Sequence, residues 1–366
     1  MQTSRRITSL RFLLAVLVVF IHNNFTAENL AETLEKSGVQ IVFNQSEVGK
    51  WIQLFVSEGI ARCAVPLFFL FAAYLQFKKN EPFGILIKKK LRTLVLPFFL
   101  WTALNIALYV SMKFAASRLV PRLLFRPDVI PQFEWTAMDW LHVFFGYGDM
   151  TSGRTFGGYL GQMWFVRDLF LLILVSLLIR HCVRTFPVCM LLFVSFFYVC
   201  DVRPLFVAEQ ALFYYTLGCF WAEYDIPLFK IADRIQWRIL IPLCLAIWLV
   251  TELHFGKYSS AYWLMVFASC IVMLKFSARI EGCGRAFSVA EYLSPVSFWL
   301  FAIHEPLLLG AVQSLWLKLL PMTIGARCLA EYFGVTAIVV ALGTGSGFLF
   351  RKFCPPLFSV LNGGRK

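Results

Sequence analysis

Charge is scarce in this chain: only 15% of its 366 residues are Asp, Glu, Lys or Arg, whereas 59% are hydrophobic. Soluble domains carry about a quarter charged residues, so that class is excluded. The signatures of soluble catalysis are missing too. There is no glycine-rich phosphate loop, no G-x-S-x-G elbow and no H-E-x-x-H helix. The ten cysteines form no C-x-x-C or Cys/His metal spacing and read as small apolar residues, so no metal is expected. No stretch shows the ten-residue alternation of an outer-membrane barrel.

What is present is a series of long apolar runs bounded by Lys and Arg. Mean hydropathy is +0.71 and aromatics make up 17% of residues. Helices must carry these runs through a bilayer, because only they satisfy every backbone group internally. Ten candidate helices are expected near 8–26, 53–77, 93–113, 159–180, 186–202, 205–222, 239–254, 260–276, 289–313 and 329–350. The fifth and sixth, separated by residues 201–204, read either as two helices or as one broken element. The fold class is therefore all-α, a polytopic transmembrane bundle forming one domain over 1–366.

Most of the Lys and Arg fall at helix ends that share a side with the N-terminus, including Arg5, Arg6, the Lys78–Arg92 cluster, Arg279, Arg285, Arg351 and Lys352. That bias places both termini in the cytoplasm. It also accounts for the net charge of +13 without a nucleic-acid partner, since the charges are divided among many short loops. Membrane lipid is the expected surrounding. The outer loops 27–52 and 114–158, with Trp135, Asp139, Trp140, Tyr147 and Asp149, are suited to recognising or covering a substrate. The first apolar run resembles a secretory signal, but NNFTAENLAE offers a weak cleavage site, and cutting there would leave an odd number of crossings.

The chemistry must lie inside the bundle. The first helix, RRITSLRFLLAVLVVFIHNNF, carries Arg11 and His22 eleven residues apart, which places both on one face about 16 Å from each other. Ionisable groups at membrane depth mark reaction centres or pathways. Arg62 lies near Pro66, which is expected to kink the second helix and open room beside it; ligand binding and a salt bridge are both open for it. Lys88, Lys89, Lys90 and Arg92 form a basic entrance suited to a phosphate-bearing ligand, with Arg92 expected to face inward. Trp164 and Asp168 share a helix face, while Arg167 is placed to reach a neighbouring helix. His304 and Glu305 fall mid-helix before Pro306. A regular helix would point them about 100° apart, so they are not expected to act as a dyad, and His304 is the better candidate for proton transfer.

Taken together, Arg11 and His22, Arg62 with ValProLeuPhePhe (65–69), the basic entrance with Pro97, MetTrpPheVal (163–166) and AlaIleHisGluPro (302–306) resemble the acyltransferase-3 integral membrane acyltransferases. That family includes O-acetyltransferases of surface polysaccharides and of the enterobacterial common antigen. The resemblance covers nearly the whole chain. It departs where the family carries Ser-Gly-Tyr after a phenylalanine-rich run: here the residues are Ala72, Ala73 and Tyr74.

The resemblance implies transfer of an acyl group, most often acetyl from cytoplasmic acetyl-CoA, to a hydroxyl of a glycan or lipid-linked glycan at the outer face of a bacterial inner membrane. His22, Arg11 and His304 are then the expected catalytic residues. Arg62, Tyr74, Trp164, Arg167 and Asp168 are expected around the acceptor, and Arg92 and Lys89 around the donor. Glycan-assembly proteins are the expected partners. The opposing class is a transporter of a small solute or glycan, which also buries charges, prolines and glycines in a bundle.

Overall fold

The structure, a computed structural model, describes residues 2–23, 47–119, 136, 161–204, 207–251, 260–319 and 326–365. Every regular element among them is helical. In chain order these are α1 (Gln2–His22), α2 (Glu47–Leu54), α3 (Ala64–Lys79), α4 (Phe83–Lys90), α5 (Leu96–Leu119), α6 (Trp164–Leu174), α7 (Ser176–Thr185), α8 (Pro187–Val199) and α9 (Glu209–Glu223). Then follow α10 (Lys230–Arg234), α11 (Trp237–Val250), α12 (Ser260–Gly282), α13 (Gly284–Leu293), α14 (Ser297–Ile303), α15 (Leu309–Leu319), α16 (Ala326–Phe353) and α17 (Pro355–Leu361). The greater part of the loops 27–52 and 114–158 expected to be outer, with Trp135, Asp139, Trp140, Tyr147 and Asp149, lies outside the described residues.

Among the described residues each predicted span is largely helical, but several are not the uninterrupted rods the hydropathy pattern predicts. Continuous helix over 48–79, 83–108, 262–282, 284–316 and 329–353 is long and apolar enough to cross a membrane. The fourth predicted span is instead a pair, 161–174 and 176–185, bent by 62°. The fifth and sixth are two separate helices, α8 of 13 residues and α9 of 15. They fold into a hairpin in which Tyr198 stacks on Phe213 at 4.5 Å.

The irregular stretches follow from proline chemistry. A proline inside a helix has no N–H for the carbonyl four residues earlier. Before Pro66 the chain passes through a π turn (Phe55–Ile60) and a 3₁₀ turn (Ala61–Cys63). Around Pro97 and Pro306 it forms π turns at Leu91–Val95 and His304–Leu308. The kink expected at Pro66 is thus spread over the preceding nine residues, where Arg62 sits.

Helix α1 runs through the middle of the bundle, touching α3, α12, α13, α14 and α16. Its N-terminal end is fixed by Arg6, which is nearly fully buried. Arg6 donates to both carboxylate oxygens of Asp233 (2.6 and 2.8 Å), to Ser277 Oγ (2.8 Å) and to the Leu274 carbonyl (2.9 Å). This residue, which the sequence presents as an ordinary basic flank, is an interior anchor. Helix α9 lies along α3 at close range, a contact made through Gly218.

Candidate active site

The residues of AlaIleHisGluPro are brought together with His22 by a break in the helix. Glu305 takes φ −131° and ψ 151°, an extended conformation between α14 and α15. This corrects the expectation of a 100° offset between His304 and Glu305, because the helical progression stops at Glu305. Its carboxylate lies against His22 Nδ1. The His22 and His304 rings stand edge to face at 5.1 Å between centroids.

The hydrogen bonds assign the tautomers. His304 Nδ1 lies 2.8 Å from the Phe301 carbonyl, which can only accept, so Nδ1 carries the proton and Nε2 the lone pair. His304 is fully buried, and its Nε2 has no hydrogen-bond partner among the described residues. The Glu305 carboxylate against His22 Nδ1 can only accept, so the contact favours the tautomer with the proton on Nδ1 and leaves Nε2 as the basic nitrogen. Ligand atoms of His22, His304 and Glu305 lie within 4.8 Å of one another. That spacing also suits a small cation, which the sequence pattern alone did not show.

Gln162 holds the break open, and sequence reasoning missed it. Pro306 leaves the Ala302 carbonyl without its helical donor. Gln162 Nε2 donates to that carbonyl (3.2 Å) and to the Glu305 carbonyl (2.6 Å). The signal was the proline's missing N–H, which obliges some donor to appear nearby.

A cavity of about 490 Å³ opens in the half of the bundle that holds Arg11, within the range of small-molecule sites. Its cations are Arg11, Lys79, Lys89, Lys90 and Arg365, set against one carboxylate, Glu81. Glu81 is paired with Lys89 Nζ at 3.0 Å, and that hydrogen bond holds its carboxyl below the usual carboxylate range. Phe301 belongs to both sites: it lines the cavity, and its ring lies 6.1 Å from that of His304. Phe68 and Phe165 continue the aromatic wall, 5.6 Å apart.

The remaining expected site residues are placed as follows. Lys89 lines the cavity, but Arg92 does not, and it is exposed. The π turn at Leu91–Val95 changes the angular progression of the helix there, which corrects the inward-facing assignment. Arg62 forms a two-bond pair with Glu58 of its own strand of helix, Nε to Oε2 at 2.8 Å and Nη2 to Oε1 at 2.7 Å. Arg167 turns back onto Asp168 (2.8 Å), and Asp168 accepts the Ala208 N–H (2.9 Å) at the start of α9. Asp168 is fully buried, so this charge pair anchors α6 to α9. Trp164 packs on Phe69, 6.1 Å between ring centres. Tyr74 is buried in the core. Ala72 lines the cavity where the family would place a hydroxyl.

No solved structure matches the chain. It is similar to the succinoglycan biosynthesis protein ExoH of Rhizobium meliloti (strain 1021), with 24% identity over 383 aligned positions covering 99% of this chain and 92% of that relative. The family described as an acyltransferase domain matches residues 5–352, a span that contains the Arg11–His22 face of α1, the broken helix at Glu305 and all but the last cation of the cavity. The chain belongs to the acyltransferase-3 family of integral membrane acyltransferases.

Proposed function

We propose that this protein takes an acetyl group from cytoplasmic acetyl-CoA and places it on a hydroxyl of a cell-surface or lipid-linked glycan. The observation that carries the reading is the division of one helix face between two sites. Arg11 lines a cationic cavity, and His22, eleven residues further along the continuous helix α1, joins a histidine–carboxylate cluster. Eleven residues of helix rise by about 16 Å, a distance an extended pantetheine arm spans. Arg11 is therefore too far from His22 to stabilise an oxyanion there, and its part is to hold the phosphate end of the donor. The glycan reading draws support from ExoH, whose name places it in succinoglycan biosynthesis.

The step needs no metal. Glu305 fixes the Nδ1–H of His22, so Nε2 faces the acceptor as a base. The acceptor hydroxyl oxygen attacks the thioester carbonyl while Nε2 takes its proton. The carbon–sulfur bond then breaks, the coenzyme A thiolate leaves, and the proton on His22 passes to that sulfur. His304 Nε2, the unpartnered acceptor beside His22, offers the proton a second resting place. In this reading the protein crosses the bacterial inner membrane ten times with both termini cytoplasmic, and works beside glycan-assembly proteins.

Acetyl transfer is tested with the purified protein in lipid nanodiscs, labelled acetyl-CoA and a lipid-linked glycan, together with acetyl analysis of surface glycan from cells with and without the protein. Label on the glycan and an acetyl content that depends on the protein are expected. Unaltered acetyl content with altered export of the glycan would overturn the reading in favour of transport.

A further inference from the structure

Beyond α16 the chain folds back under the bundle. Helix α17 and residues 362–365 lodge between α5 and the start of α14, fixed by a set of specific contacts. Trp101 Nε1 donates to the Leu361 carbonyl at 3.0 Å. Asn362 Nδ2 donates to the carbonyls of Pro295 (2.8 Å) and Arg365 (3.0 Å).

Gly363, at φ +65°, presses on the Thr93 carbonyl so closely that a Cβ there would lie 2.4 Å from the oxygen. That carbonyl is the one Pro97 leaves without a helical donor. Only glycine fits both the left-handed backbone and the approach, so the turn is built into the cavity wall.

The product of this fold-back is the position of Arg365. It lines the cavity with Arg11 and Lys90. Its guanidinium carbon sits 4.1 Å from the centre of the Phe298 ring, and one nitrogen donates to the Asn362 carbonyl at 2.8 Å. No carboxylate pairs with it among the described residues. Burial, reinforced by the neighbouring Arg11 charge, lowers its pKa to about 10, and it stays charged at neutral pH. Three cations facing one cavity repel each other unless an anion enters between them. Arg365 still has donors to offer such an anion, since one hydrogen bond uses only part of the guanidinium.

We propose that Arg365 is a phosphate-binding residue of this cavity, delivered by a fold-back that lies beyond the matched residues 5–352. As a statement about coenzyme A it rests on the donor reading above. The planar guanidinium, braced on Phe298, is suited to take two oxygens of a phosphate at once.

The test is calorimetric binding of coenzyme A, pantetheine and inorganic pyrophosphate to the full-length protein, its Arg365→Gln variant and its Arg365→Lys variant. Glutamine retains a donor for the Asn362 carbonyl, so the turn is preserved. Affinity for coenzyme A should fall about tenfold or more in Arg365→Gln and less in Arg365→Lys, with pantetheine binding unchanged. Equal coenzyme A affinity in wild type and Arg365→Gln would overturn the assignment and leave the donor reading standing. Parallel loss of coenzyme A and pantetheine affinity would also overturn it, by showing that Arg365 acts through packing. Arg365-dependent binding of pyrophosphate without any binding of coenzyme A would uphold the phosphate site and remove the donor reading. Binding of none of the three probes by the wild type would overturn both.

Discussion

Ala73 of α3 faces Gly218 of α9, and a Cβ added at 218 would lie 2.9 Å from the Ala73 methyl and 2.5 Å from the Leu70 carbonyl oxygen. The methyl that distinguishes this chain from the family's Ser-Gly pattern is therefore accommodated by a bare glycine opposite. Gly218→Ala should lower stability by about 1–3 kcal/mol, as overpacking does. Ala73→Gly added to it should restore part of the loss and not all, because the contact with the Leu70 carbonyl remains. Thermal unfolding of the four proteins in one detergent measures both effects, and an unchanged midpoint in Gly218→Ala would rule out close packing at this point.

The pairing of Glu305 with His22 gives a kinetic expectation. His22→Ala should abolish acyl transfer, since it removes the base. Glu305→Gln should lower turnover by about 10²-fold or more, because the neutral amide no longer favours the tautomer with Nε2 free. Both variants should insert normally and leave coenzyme A affinity unchanged, the cluster being separate from the cationic cavity. Chelator treatment should leave wild-type turnover intact; activity lost with chelator and restored by added zinc would show instead that the cluster holds a metal.

Arg62 is expected to matter for folding more than for the acceptor. Its partner Glu58 is buried, and removing Arg62 leaves that carboxylate without its counter-charge, at a cost of roughly 3 kcal/mol. Arg62→Met alone should destabilise the protein strongly, whereas Arg62→Met with Glu58→Gln should recover much of the loss. A stable single variant with a raised KM for the glycan would instead return Arg62 to acceptor binding.

Native cysteines report on orientation. Cys200, Cys283 and Cys354 are all exposed. With a cytoplasmic N-terminus, Cys200 lies at an outer helix end and the other two at inner ends. A membrane-impermeant thiol reagent applied to intact cells should label a variant keeping only Cys200 and should not label variants keeping only Cys283 or Cys354. The opposite pattern inverts the topology.

The helical segments were legible because apolar runs bounded by charge leave few other folds open to a chain in lipid. Arg11 and His22 were legible for a geometric reason: eleven residues is close to a whole number of turns, and the helix between them is regular. The same reasoning failed wherever regularity failed. A regular helix separates His304 and Glu305 by a rotation that Glu305, being extended, does not make. An unbroken helix turns Arg92 inward, and the π turn at Leu91–Val95 alters that rotation. Gln162 gave little signal, being uncharged and ordinary in composition. Its role is visible only as the answer to a carbonyl that Pro306 leaves unmet. Only the fold-back through Gly363 shows where the charge of Arg365 goes.

The hairpin of α8 and α9 has a consequence for the surrounding lipid. Helices of 13 and 15 residues rise by only about 20 and 22 Å, against a hydrocarbon core about 30 Å thick. Leu192, Phe193 and Phe196 on α8 present apolar surface outward, and in the proposed ten-crossing arrangement the bilayer would thin to match that short wall. In that arrangement the two leaflets come nearest beside this hairpin, and a lipid-anchored molecule in either one would there sit deeper than in unperturbed membrane.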